Sequence, residues 1–348
     1  MKLSSTGLTQ DQIAEPWPVH LFGLLNPALV IAGNLLGGAY TLMGVLLVWV
    51  ISPLLDLALG KSETPRPAPR TGKAYVMILW IHGLSHFAVL ASFVWLTAQE
   101  GWSIWWFWAA VSTGLAAATS AIVTAHELGH RPRGSAAWWL ARALLMSIHY
   151  PHFTTEHNIG HHKHVATDQD PASARANESI WAFWPRTVWG QFVSAIAIHD
   201  RKGRRGVRNP ALRDFILQLL ALGGLAGAGL QGLSWSLPLL TGWLLLSALA
   251  ILTLEYVNYL RHYGLRRPTG SVRFEAPYAW NTEARWSRWS LLELPRHSDH
   301  HLNAGVPFWR LRPHPEAPVL PAGYYACWWP CLIPTLWRRI MAGRAPGL

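Results

Sequence analysis

Only two cysteines, Cys327 and Cys331, occur among the 348 residues. That is too few for a disulfide framework, an iron–sulfur cluster or a thiolate zinc site, and both are expected to be free apolar thiols. Charge is also scarce: 14% of residues are charged, against about 25% in ordinary soluble domains. Basic residues are absent between Lys2 and Lys61, between Lys73 and Arg131, and between Arg213 and Arg261. The chain has no glycine-rich nucleotide loop, no flavin motif, no Asp-Gly dipeptide, no internal repeat and no low-complexity tract. Together these absences exclude a secreted disulfide scaffold, a typical soluble enzyme and a reductase carrying its own nucleotide cofactor.

What the chain has instead is apolar surface: 51% hydrophobic residues, with 22 tryptophans. Runs long enough to cross a core of about 30 Å lie at 19–35, 37–58, 75–98, 102–125, 212–233 and 237–260. The expected fold is an all-α integral membrane protein with six transmembrane helices, forming a single domain over 1–348. The three stretches without Lys or Arg contain these spans, so every basic residue falls on one side. By the positive-inside rule that side is the cytoplasm, with both termini on it and the protein in the inner membrane. Met1–Pro18 lacks the apolar core and cleavage site of a secretory signal. Segments 136–150, 180–198 and 323–341 are expected as shorter helices capping the bundle or lying in the interface. Lys61–Lys73, with Pro65, Pro67 and Pro69, is the nearest thing to a linker.

Four of the polar stretches carry histidine motifs: His126-Glu-Leu-Gly-His130, Glu156-His157-Asn-Ile-Gly-His161-His162, Asn258-Tyr-Leu-Arg-His262 and Arg296-His297-Ser-Asp-His300-His301. Residues three or four apart share a helix face, so each motif can aim imidazoles at one point. Neutral imidazole binds iron, zinc, copper and nickel alike, and nine such ligands exceed the capacity of one ion. Two metals are therefore implied, and all four motifs fall on the cytoplasmic side. Taken alone, His126 to His130 matches the H-E-x-x-H helix of zinc proteases, but that reading leaves the other three motifs without a purpose. His82 and His86, also four apart, lie two to three turns inside the third span; they are expected in polar packing or, for His86, along a substrate tunnel.

Beyond the motifs, the chain resembles the membrane alkane 1-monooxygenases of the fatty acid desaturase and hydroxylase superfamily. The likeness rests on the His126–His130 box and on Glu156–His162 followed by Val165-Ala166-Thr167 and Asp170-Pro171-Ala172. It extends to Asn258–Gly264 and Leu294–His301, and outward to Pro53-Leu54-Leu55-Asp56, Trp280-Asn281 and Leu320-Pro321-Ala-Gly-Tyr324. It departs within the boxes at Arg261 where the family has glutamate and at Pro295 where it has glutamine, and just after the first box at Arg131 where it has lysine. Tyr278-Ala279-Trp280 also replaces a His-His before Ser-Trp-Asn.

The resemblance implies a non-haem di-iron centre of two iron ions held by His126, His130, His157, His161, His162, His262, His297, His300 and His301, with no separate protein acid or base assigned. Glu127, His152, Glu156, Asn158, Asp170, Asn258 and Asp299 are expected around these ligands, where such groups fix imidazole tautomers. Trp49 occupies the place of a bulky second-span residue that limits substrate length. The implied activity is hydroxylation of the terminal methyl of an n-alkane, delivered from the bilayer, to a primary alcohol with O2. Electrons are expected from rubredoxin and its NAD(P)H-dependent reductase, which a net charge of +11 suits by attracting an acidic carrier. Nucleic acid is not expected as a partner. Three other readings stand beside this one: methyl hydroxylation of alkyl-aromatics, desaturation or hydroxylation of an acyl chain, and an intramembrane zinc protease.

Overall fold

In the computed structural model the described residues are 15–62, 71–268, 271 and 273–344. The proline-rich stretch after Ser62 and most of the segment before Trp17 lie outside them. Among the described residues the secondary structure is helical, with only isolated β-bridges.

Six helices are long and apolar enough to span a membrane: α1 (Trp17–Leu36), α2 (Gly38–Ala58), α3 (Lys73–Glu100), α4 (Ile104–Gly129), α7 (Pro210–Leu230) and α8 (Ser236–His262). Between and after them come α5 (Ala136–Ser147), α6 (Ile180–Arg201), α9 (Arg285–Ser290), α10 (His297–Leu302), α11 (Trp328–Leu332) and α12 (Pro334–Met341). The protein is thus a multi-pass membrane protein. The spans match the apolar runs closely, but α4 and α8 continue past them into the first and third histidine motifs. Apolarity stops there because the ends of both helices carry the polar side chains of the histidine motifs, buried inside the protein.

Local signals set the helix starts. Ser103 accepts a hydrogen bond from the Trp106 amide at 2.9 Å, Ser135 from Trp138 at 3.2 Å and Ser179 from Ala182 at 3.2 Å; Asn209 caps α7, which opens with Pro210. Each side chain satisfies an amide that the first helical turn would leave unpaired.

The bundle is built around α4, with 89% of its apolar window buried, whereas α7 has 17% and lies at the periphery. Close helix approach is what buries α4. A Cβ on Gly114 would stand 2.8 Å from the Leu246 carbonyl of α8, so only glycine permits this crossing. Buried amides add directional contacts, Asn26 to Thr119 at 2.9 Å and Asn34 to Ser92 at 3.0 Å. Two spans carry a π-helical turn, Leu47–Ile51 in α2 and Ala117–Ile122 in α4. Such a turn inserts a residue into the helical register and is common at functional sites.

Candidate metal centre and substrate cavity

The histidines at the ends of α4 and α8, in the segment between α5 and α6, and on α10 converge at one end of the bundle. They form two groups. His126, His130, His157 and His300 bring ligand nitrogens within 4.8 Å of one another, and so do His161, His262, His297 and His301. His162 joins the first, with its Nε2 3.2 Å from His157 Nε2 and 3.1 Å from His300 Nε2.

The division follows from local geometry. Glu156–His161 is a π-helical turn, so residues five apart come together: His157 meets His162, while His161 turns to the other group. On α10, His297 and His301 are one turn apart and lie 2.9 Å from each other at Nε2, and His300 points to the first group. The second and fourth motifs therefore each serve both groups.

The donor set fits metal ions. Nitrogens about 2.1 Å from a common ion at 90–109° lie roughly 3.0–3.4 Å apart; the nearest Nε2 pairs here run from 2.9 Å for His297–His301 to 3.4 Å for His157–His300, and within each group of four all ligand nitrogens lie within 4.8 Å of one another. His126, His130 and His161 have buried Nε2 atoms with no hydrogen-bond partner, an expensive arrangement unless a ligand occupies it. Burial, followed by repulsion from neighbouring histidines and arginines, holds His157, His162, His297, His300 and His301 well below 6.5. His130 is held at about 4 by burial and then Arg131. These imidazoles are neutral at pH 7, the form that binds metal.

The surrounding acids and amides take varied positions. Asp170 Oδ2 lies 2.9 Å from His161 Nδ1 and accepts from Ser173 Oγ at 2.6 Å. Burial opposes its charge, but His161 and these hydrogen bonds outweigh it and keep the carboxyl below its usual range. Asn158 donates to the Gly129 carbonyl at 2.7 Å, tying the second motif to the first. Glu127 accepts from Arg131 at 2.8 Å. Asn258 turns to Glu255 at 3.1 Å, and Asp299 takes hydrogen bonds from His314 and the Arg312 amide, both at 2.9 Å. Glu156 faces Ser194, its carboxyl pushed well up by burial and then by Asp170 and Glu255. His152 packs its ring on Tyr150 and Phe192, on the side facing α6.

An apolar cavity of about 50 Å³ lies between α2, α4 and α8, lined by Val48, Trp49, Ala118, Thr119, Ile122 and Val123, and by Tyr324, Tyr325 and Trp328 from the C-terminal segment. Both π-helical turns contribute to its wall. Val123 and Leu294 are shared with a smaller cavity that also borders His126, Glu127 and His300. Trp49 therefore stands in the wall of a cavity that adjoins the one bordering the first histidine group. His86 does not line it: its Nε2 lies 2.9 Å from Ser147 Oγ, and His82 lies between the His20 carbonyl and Ser120. Both are packed inside the bundle, as burial of a polar side chain in an apolar span requires.

A fatty acid desaturase family model matches residues 100–331. Alkane 1-monooxygenase 2 of Alcanivorax borkumensis is 32% identical over 85% of this chain and 80% of its own length. Alkane 1-monooxygenase of Ectopseudomonas oleovorans is 32% identical over 85% and 76%. The chain belongs to this family. It is an alkane 1-monooxygenase-like oxidoreductase of the desaturase superfamily. The hydroxylase component of a Pseudomonas putida xylene/toluene monooxygenase is also similar, at 29% identity over 62% of this chain and 58% of that protein.

The structural roles of three residues in this family member were not read from its sequence. Glu255, fully buried in α8, accepts from Thr187 and Gln191 at 2.8 Å, Tyr150 at 3.0 Å and Asn258 at 3.1 Å. Its signal was present, since a glutamate inside an apolar span needs a reason. Asp56 accepts from the amides of Ser287, Tyr325 and Ala326 at 2.9–3.2 Å, and so fastens the C-terminal segment across the cavity. Arg261 is fully buried and donates to Tyr324 Oη at 3.2 Å, joining the metal centre's surroundings to the cavity wall.

Proposed function

We propose that the whole chain acts as one non-haem di-iron monooxygenase domain that hydroxylates the terminal methyl of an n-alkane to a primary alcohol. His126, His130, His157, His162 and His300 would hold one iron, and His161, His262, His297 and His301 the other. When bound, iron supplies the reductive activation of dioxygen and the attack on an unactivated C–H bond. The protein does the rest. Asp170 holds His161 Nδ1 so that Nε2 faces inward. The apolar cavity takes a hydrocarbon from the bilayer, keeps water from it and presents one end at His126 and His300.

The observation that carries this reading is the apolar cavity walled by Trp49 and Trp328, which shares Val123 and Leu294 with a smaller cavity bordered by His126 and His300. A narrow apolar passage favours an unbranched chain entering end-on, which gives terminal regiochemistry without polar recognition. The similarity to a xylene/toluene enzyme keeps methyl groups on aromatic rings as the second reading. Two electrons per turnover are taken from rubredoxin on the basic, cytoplasmic side, where both termini lie, with an NAD(P)H-dependent reductase behind it. Supplying the membrane-embedded chain with rubredoxin, its reductase, NADH and O2, and feeding octane, hexadecane and p-xylene separately, tests this. The expected product is the 1-alkanol. Exclusive turnover of p-xylene selects the second reading, and no hydroxylation of any of the three by an iron-loaded enzyme rejects both.

A further inference from the structure

Between the start of α7, the end of α6 and the end of α4 lies a second, polar cavity, lined by Arg131, Arg133, Arg142, Lys202, Arg204 and Arg213 and by no carboxylate. Two acids behind its wall answer three of these cations: Glu127 pairs with Arg131, and Asp214 with Arg142 and Arg213. Among the described residues Arg133, Lys202 and Arg204 have no carboxylate partner. Charge sorting across a membrane requires basic residues on one side; it does not require them to converge on a cavity. Convergence costs repulsion, and a bound anion removes that cost.

The surroundings indicate which anion. The cavity lies at the level where α4 ends and α7 begins, with Trp138 and Trp139 of α5 at its edge. Indole rings at that depth are typical of the headgroup region. Residues of α6 spaced by whole turns continue the line: Trp181, Trp184, Val188 and Phe192 border an aromatic groove, and farther along the same face His199 borders the basic cavity, as does Lys202 just past the helix end. One helix face thus runs from the aromatic groove to the basic cavity over about five turns, a polarity profile that matches an anionic amphiphile.

We propose that this cavity binds the phosphate headgroup of one anionic phospholipid whose acyl chain follows the aromatic face of α6. The lipid is a structural ligand that braces the outer face of the metal centre, because Gly129, His130 and Asn158 form part of the same wall. A soluble phosphate shares the headgroup's charge but leaves the groove without an occupant.

The test uses the full-length chain, extracted in neutral detergent, delipidated, and returned to phosphatidylcholine nanodiscs with increasing phosphatidylglycerol. Bound lipid is counted by native mass spectrometry. Wild type is expected to retain one phosphatidylglycerol. Arg133→Gln/Lys202→Gln/Arg204→Gln, which breaks no described ion pair, is expected to bind it on the order of a hundredfold more weakly, about fivefold for each charge lost. Arg338→Gln/Arg339→Gln on α12 is the control for diffuse surface charge and should bind as wild type does. Equal retention by the triple variant overturns the proposal, as does equal loss in the control. Saturable uptake of inorganic phosphate with no retained lipid overturns it, and so does a triple variant that keeps its lipid but is no longer reduced by an acidic electron carrier.

Discussion

The indole of Trp49 stacks on that of Trp328, ring centroids 6.1 Å apart and planes 18° from parallel, and both rings form part of the wall of the apolar cavity. The Trp329 indole N–H donates to the Trp49 carbonyl at 2.8 Å, which fixes the backbone on which this stop is mounted.

Shortening the stop should lengthen the accepted substrate. Trp49→Ser is expected to raise the longest n-alkane hydroxylated by several carbons while the activity on octane stays within a few-fold. Competition between octane and a series from dodecane to eicosane, with products separated by gas chromatography, reads this directly. An unchanged upper limit removes Trp49 from the substrate path.

Asp170 orients His161, so its charge and its shape can be separated. Asp170→Asn keeps a hydrogen-bonding group beside Nδ1 but removes the charge; Asp170→Ala removes both. Loss of such a partner typically weakens metal binding about 10–100-fold. Iron retained after dialysis against a graded chelator should fall in the order wild type, Asn, Ala. Equal retention in all three would show that His161 is held by packing alone.

Arg261 places a cation in the interior, where it disfavours protonation of His297 and His300, and the same field disfavours added positive charge on bound metal. Arg261→Gln is therefore expected to lower the reduction potential of the centre, measured by redox titration followed by Mössbauer spectroscopy. A potential that rises or stays put contradicts an electrostatic role, leaving only the contact with Tyr324.

His314 gives a pH signature outside the metal ligands. Burial opposes its charged form, but hydrogen bonds to Asp299 at 2.9 Å and Glu316 at 3.0 Å outweigh it and raise its affinity for a proton above the usual value of 6.5. A raised folded-state value contributes stability that is complete below about pH 6.5 and is lost as pH rises through the folded value. The difference in melting temperature between wild type and His314→Asn should shrink from pH 6 to pH 9. A difference that grows over that interval contradicts the pairing.

Much of this was legible in the residues, for identifiable reasons. Six spans follow from apolar length alone, and nine histidines stand out because few other side chains recur at helical spacing in polar segments. The partition of those histidines was not legible. It depends on a π-helical turn at Glu156–His161, and nothing in the spacing distinguishes that turn from an α-helical one that would put His157 and His161 in one group. The cavity was legible only at Trp49, because Tyr324, Tyr325 and Trp328 reach it through a fold-back held by Asp56. Asn258 and Asp299 looked like partners of the histidines next to them in sequence, yet their side chains meet Glu255 and His314. Adjacency along the chain does not fix direction in space.

Two histidine groups holding two irons is the central claim, and metal counting after selective damage tests it. Wild type, His126→Ala and His297→Ala, one substitution in each group, are loaded anaerobically with ferrous iron, desalted and assayed for protein-bound iron, zinc and copper. The account predicts two irons per chain in wild type and about one in each single variant, with the remaining iron in a changed spectroscopic environment. A single metal in wild type, preferential zinc, or full iron retention in either variant would contradict it.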